Sequence, residues 1–446
     1  MTLPPTAPSP RPDPLRSVYG NAAVLLGGKG FNALLSLATL ALAARALGVA
    51  QFGLLVLVHS FASAVADIAK FQTWQLLLQY GQTALERGER QRFLPVLRFA
   101  LILDLLSGLL GLLLALAVLA LAWPWLNWPP ELRLPAALYM SSILFLVPGT
   151  PLGLLRALDR FDLLALRSGV GALLRLLGAG LGWWLGLGLG GFLAIWYLSG
   201  LLSLALSASA AAGQLRQRGL LSGPWPASSG LAPAIPGIWR FVWQNNLNLS
   251  LGVASSHLYT LMVGSLIGSA GAALFHVARQ LAEGISKAGD LLVAALYPQL
   301  VRLREQSDLA AMRGLAWRLS LACGAVASGL LLLFAPLAGE LLGWVLGEAP
   351  AQGARFAVLL CAAAVIRLWA LPLEPLLIST GRIGLASSAR ALVLLLQIPS
   401  CYLLCIEWGL DGAAATAILV ALASLTLQAL PLLGRAAPAS NLDLRA

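Results

Sequence analysis

Apolar stretches of about 20 residues, the length that crosses the hydrocarbon core of a bilayer as a helix, recur along the whole chain, separated by short polar segments rich in arginine. They predict twelve spans, near 20–44, 52–79, 97–122, 134–155, 168–188, 190–213, 242–267, 271–297, 316–338, 354–378, 389–406 and 410–433. Leu, Ala and Gly fill these stretches, not the alternating pattern of barrel strands. The expected fold class is all-α integral membrane. Composition agrees: of 446 residues, 59% are hydrophobic and 11% charged, against about 25% charged in a soluble domain. The first apolar stretch is too long for a cleaved signal peptide, and no small-residue cleavage site in it is followed by a soluble domain. Residues 1–19 ahead of it read as a disordered, Pro-rich cytoplasmic leader.

Positive charge orients the spans. The segments on one side carry nearly all the arginines outside spans, among them Arg87, Arg90, Arg92, Arg216, Arg218 and Arg240, while the other side holds Arg45, Arg133 and Arg355. The expectation is both termini cytoplasmic in a multi-pass protein. Basic loops beside anionic lipid account for the net charge of +11 without any nucleic-acid partner. The outer loops are too short for an extramembrane catalytic domain.

The two halves of the chain look like copies offset by about 220 residues: Leu47-Gly48 meets Ile267-Gly268, Pro151-Leu152 meets Pro372-Leu373, and Gly188–Gly191 meets Gly409–Gly412. Six spans per copy insert the same way up, so the repeat is parallel, with substrate expected between the lobes near the midplane. The boundaries that follow are an N-lobe at 20–213, a Pro/Gly/Ser-rich cytoplasmic linker at 214–240, a C-lobe at 241–433 and a cytoplasmic tail at 434–446, the two six-helix lobes surrounding a central cavity.

An ionisable residue inside a membrane costs at least ~2.5 kcal/mol on insertion scales, so each asks for a reason. Span eight carries His276, Arg279, Gln280, Glu283, Lys287 and Asp290 at spacings of three and four, on one helical face. That face is either packing glue, with Arg279–Glu283 and Glu283–Lys287 pairs, or the wall of a hydrated cavity. Lys29, Asp67 and Lys70 reach similar depth, and an acid between two cations leaves one positive charge over. Arg367 lies mid-span with no local acid. Asp104 and Arg175, nearer a boundary, read as snorkelling or paired. Span seven is polar, with Asn245, Asn248 and His257 among its residues. These, with Gln280, either bond neighbouring helices or face a sugar, since amides pair well with hydroxyls. Pro148, Pro151, Pro372 and Pro375 break spans four and ten as hinges or as plain kinks. No GxxxxGK[ST] loop, HExxH or Cys–His cluster is present, so no cofactor, metal or enzymatic activity is expected.

Ala44-Arg45-Ala46-Leu47-Gly48-Val49-Ala50-Gln51-Phe52-Gly53 resembles the ARxLGxxxFG signature of Wzx-type polysaccharide (O-antigen repeat-unit) flippases, in the multidrug/oligosaccharidyl-lipid/polysaccharide exporter superfamily. Tyr297–Leu303 and Gly409–Ala414 resemble that family's later motifs, in the right order. Members often carry Asp-Arg where this chain has Tyr259-Thr260, and Tyr-Ser where it has Phe275-His276. The resemblance implies a bacterial inner-membrane transporter that turns a polyprenyl-diphosphate-linked oligosaccharide across the membrane by alternating access. Lys29, Lys70, Arg279, Lys287 and Arg367 would then hold the diphosphate, and Asp67, Glu283 and Asp290 would couple an ion gradient. Partners would be the lipid-linked oligosaccharide, membrane lipids, and a glycan polymerase or other polysaccharide-assembly proteins. The competing expectation is a cation- or proton-coupled drug or metabolite antiporter of the same superfamily, whose cavity should show an acidic excess.

Overall fold

The computed structural model describes residues 14–221, 235–284, 286, 309–347, 352–379 and 383–433. All regular structure among them is helical. Eight segments are long and apolar enough to cross a membrane; Asn32–Glu86 and Ser388–Pro431 each hold a pair of expected spans, so the eight cover spans one to six and nine to twelve. Span seven falls on the helix Ile238–Ile267. Span eight falls on the helix at 269–284, and its expected continuation lies outside the described residues.

Pro14–Ala69 is two helices joined at Gly48, where φ is 74° and ψ 161°. Gly268, at the end of Ile238–Ile267, has nearly the same backbone, φ 94° and ψ 174°. Only glycine occupies this region without strain. The two Leu/Ile-Gly turns that the repeat pairs therefore adopt one conformation.

The expected continuous span at 52–79 is instead broken. The helix stops at Ala69, and a new one begins at Thr73 and passes through a π-helical turn at Leu77–Gly81. Span four also breaks, restarting at Thr150. Asp104 joins the two breaks: its carboxylate accepts from Thr73 Oγ1 at 2.8 Å and from the Thr150 backbone N–H at 2.9 Å. The Thr150 N–H is a donor that the restarting helix leaves without an internal partner, and the Thr73 hydroxyl ties the first break to it. Gly153 lets the restarted helix approach, since a Cβ there would lie 2.6 Å from Trp74 Cα.

One apolar cluster joins both halves of the chain, with Phe52, Leu57, Met140 and Phe192 meeting Val263, Phe275, Leu342 and Phe356. A second, around Phe93, Phe99 and Leu155, lies in the N-terminal half and takes in Ile238 and Val242. Outside these cores the leucines point outward. On Arg90–Leu126, Leu105, Leu110, Leu113 and Leu121 are 60–73% exposed. In water that surface would cost about 25 cal/mol per Å²; lipid tails solvate it without penalty.

Candidate functional site

Two cavities open beside the inter-half core. The first, of about 540 Å³, is lined by the helices Pro14–Ala69, Phe161–Trp184 and Leu189–Gln217 and by His276 and Gln280 of the helix at 269–284. Its cations among the described residues are Arg167 and Arg175. They are eight residues apart, about 12 Å along a helix, on the face that also presents Gly171. Glycine there lets the facing helix come close, since an added Cβ would lie 3.3 Å from Ser203 Oγ. Arg167 Nε donates to the Ser203 carbonyl at 3.3 Å. Arg175 Nε donates to Ser199 Oγ at 3.3 Å, and its guanidinium lies 5.5 Å from the Trp196 ring centroid. Trp196, Ser199, Gly200 and Ser203 form the matching stripe on Leu189–Gln217. No Asp or Glu lines this cavity among the described residues. Asn32 Oδ1 and His276 Nδ1, on its wall, are buried without a hydrogen-bond partner.

The second cavity, of about 320 Å³, lies in the C-terminal half and is lined by Arg279, Glu283, Arg367, Arg390 and Gln397 among apolar residues. Here two of the three arginines have an acid partner. Arg279 Nε is 3.4 Å from Glu283 Oε1, and Arg279 Nη1 donates to the Ser256 carbonyl at 2.7 Å. Arg390 is paired with Glu374. Arg367 is exposed to the cavity, and none of the described ion pairs includes it.

Between the halves, Asp67 takes Lys70 Nζ at 2.5 Å and lies 3.6 Å from His257 Nε2. Lys70 sits where the helix of span two breaks, so the acid neutralises it in place.

The expected site is thus divided. Arg279, Glu283 and Arg367 do share a cavity, while Gln280, one residue on from Arg279, faces the other. Asp67, Lys70 and His257 form a separate cluster, and neither cavity's lining includes them. The side chains of Lys29, Asn245 and Asn248, and the residues Lys287 and Asp290, lie outside the described residues. Asp104 and Arg175 correct the sequence reading. Asp104 is buried, caps the helix that restarts at Thr150 and binds the Thr73 hydroxyl, and none of the described ion pairs includes it. Arg175 neither snorkels nor finds an acid; it enters the first cavity between Ser199 and Trp196. Arg167, one residue outside the expected span five, enters with it. The signal that would have found them is the i, i+4, i+8 run Arg167-Gly171-Arg175 facing the Ser199-Ser203 stripe.

Residues 18–304 match the family described as polysaccharide biosynthesis protein. The chain is 33% identical over 320 residues to the inner membrane protein YghQ of Escherichia coli K12, covering 72% of this chain and 88% of the relative. Its fold is similar to the inward-facing conformation of a multidrug resistance MATE family transporter of the MOP superfamily, with a TM-score of 0.70 and 14% identity over 90% of this chain and 94% of the other. It is also similar to a MOP superfamily transporter from Pyrococcus furiosus described as having a binding pocket of reverse polarity, at a TM-score of 0.59 and 15% identity over 95% and 96% of the two chains.

Proposed function

The chain belongs to the polysaccharide biosynthesis protein family and has the fold of the MOP-superfamily transporters, and on that premise we propose that it moves a polyprenyl-diphosphate-linked oligosaccharide across the bacterial inner membrane by alternating access, both termini cytoplasmic. The observation that carries this reading is the cavity holding Arg167 and Arg175, with no Asp or Glu among its described lining residues. Each guanidinium has five N–H donors, of which the bonds described above use one. A diphosphate is a dense anion whose hydration must be replaced inside the membrane. Charge-assisted, bidentate contacts from two arginines do that, and the hydroxyl of Ser36 adds a further donor. A cationic drug would meet repulsion there. The second cavity, where Arg279 and Arg390 already have acid partners, suits the sugar part, with Gln397 and Arg367 able to donate to hydroxyls.

The Asp67–Lys70–His257 cluster favours a second reading, an ion-coupled drug or metabolite antiporter, because a carboxylate shared between two nitrogen bases can exchange a proton or cation. The two are separated by native mass spectrometry of the protein purified from its own membranes. The flippase reading expects a co-bound polyprenyl-diphosphate glycan in the native protein and its loss in the Arg167→Gln, Arg175→Gln double variant. Finding only phospholipid in the native protein, together with saturable binding of a cationic drug, would overturn it in favour of the antiporter.

A further inference from the structure

The structure assigns the Ala44–Gly53 motif a mechanical role: Arg45 is the arm of a latch that holds the two halves of the chain together on one face, and Gly53 is the seat on which that face closes.

The motif spans the turn at Gly48. On its far side, Gly53 lies so close to the second half that a Cβ there would come within 1.8 Å of the Ser269 carbonyl oxygen. The reciprocal contact is nearly as tight, since a Cβ on Gly264 would lie 2.2 Å from Leu57 Cδ2. The two like-shaped turns, at Gly48 and Gly268, thus bring backbone against backbone. The apolar cluster that joins the halves, including Ala44, Phe52, Ala272 and Leu346, surrounds them. No substrate could pass between surfaces packed this closely.

Arg45 fastens the seal from outside it. Its Nε and Nη2 donate to the Trp344 carbonyl at 3.1 and 2.6 Å, and its guanidinium is 5.7 Å from the Trp344 ring centroid. Trp344 lies in the last turn of the helix Ala338–Leu346, where carbonyls have no helical donor and a cation is favoured by the helix dipole. The acceptor is a neutral carbonyl and Arg45 is exposed. Opening therefore exchanges these bonds for water without stranding a buried charge. A buried ion pair in the same place would be far harder to break. These are the properties of a contact made and released in each cycle. Asn32, on the wall of the first cavity, is thirteen residues from Arg45, about 20 Å along a helix, so the cavity lies on the other side of the seal. The balance of positive charge makes the Arg45 face the outer one.

The test needs no substrate, so its outcome is independent of what the protein carries. Ser36 lines the first cavity, and Ser36→Cys reports access to it once the four cysteines, Cys323, Cys361, Cys401 and Cys405, are replaced by alanine. A membrane-impermeant maleimide is applied to the Arg45 face in intact cells and to the opposite face in inverted vesicles. With Arg45 present the reporter reacts from the opposite face. Arg45→Ala raises its reaction rate from the Arg45 face by roughly five- to tenfold, the effect of removing about one net hydrogen bond from the closed state. Gly53→Ala, which wedges the seat, raises it as well, and Arg45→Lys gives a smaller rise. Rates from the Arg45 face unchanged in both alanine variants overturn the latch, as does a parent protein whose reporter already reacts from that face. Should Arg45→Ala fail to accumulate, Arg45→Lys decides on the same reporter: a rise supports the latch and an unchanged rate refutes it.

Discussion

Replacing Asp104 by alanine tests whether a buried carboxylate holds the breaks in spans two and four. Asp104 is 5% exposed, and its two donors are more deeply buried still, with Thr73 and Thr150 each at 1%. Its oxygens divide the work: Oδ1 takes the Thr73 hydroxyl at 2.8 Å and Oδ2 the Thr150 N–H at 2.9 Å. Alanine leaves both donors without that acceptor in a site closed to water. Each stranded buried donor costs about 1–3 kcal/mol, and loss of a helix N-cap alone costs about 0.5–2 kcal/mol. Hydrogen bonds in membrane proteins average nearer 0.6 kcal/mol in double-mutant cycles, which pulls the sum toward the low end. We expect a loss of about 2–4 kcal/mol for Asp104→Ala. Asparagine has a single acceptor oxygen, so Asp104→Asn should keep one of the two bonds and lose about half as much. The assay is reversible unfolding in mixed micelles of increasing SDS fraction, followed by tryptophan fluorescence. Wild-type stability in Asp104→Ala would refute the bridging role of its carboxylate. An asparagine variant as unstable as the alanine variant would show that the negative charge, not the pair of acceptors, is what matters.

Other outcomes follow from the same contacts. Gly268→Ala should destabilise by about 1–3 kcal/mol, because φ there is 94° and side chains strain that conformation. Gly190→Ala, in a helix with nothing within 4 Å of its added Cβ, should be neutral or gain up to about 1 kcal/mol from helix propensity. Equal effects in the micelle assay would contradict the turn geometry. Gly153→Leu should cost at least about 1–3 kcal/mol by overpacking Trp74, seen as lowered accumulation and earlier unfolding. Arg390→Gln should cost less than about 1 kcal/mol, because its pair with Glu374 is partly exposed, with side chains 47% and 31% accessible, and such pairs are worth little. A larger loss would mean the pair is shielded by something bound in the second cavity.

Much of the architecture could be read from residue order. Apart from the breaks in spans two and four, the spans that lie on described residues fall where apolar length put them, and Gly48 and Gly268 turn alike, as their places in the repeat implied. Arg279 and Glu283 pair at i, i+4, and Asp67 and Lys70 at i, i+3, because those neighbours share a helical face whatever surrounds the helix. The site was less legible. Periodicity says which residues lie on one face but not what that face meets. Arg279 and Gln280 are adjacent, yet they enter different cavities. Arg175 was discounted for lying near a boundary, though it has Ser199 and Trp196 to receive it. Lys70 looked like a free cavity cation, and the carboxylate three residues before it neutralises it.

What the sequence determined by itself is local. Apolar length makes helices that lipid can solvate, glycine at a positive φ sets the turns, and i, i+3 and i, i+4 spacing sets the short-range charge pairs. The tertiary structure decided every contact that chain order leaves open. Thr73 and Thr150 reach Asp104 across 31 and 46 residues, and Arg45 reaches Trp344 across 299. Such partners are chosen only when the halves pack, because a buried donor or acceptor takes whichever counterpart the assembled fold brings within about 3 Å.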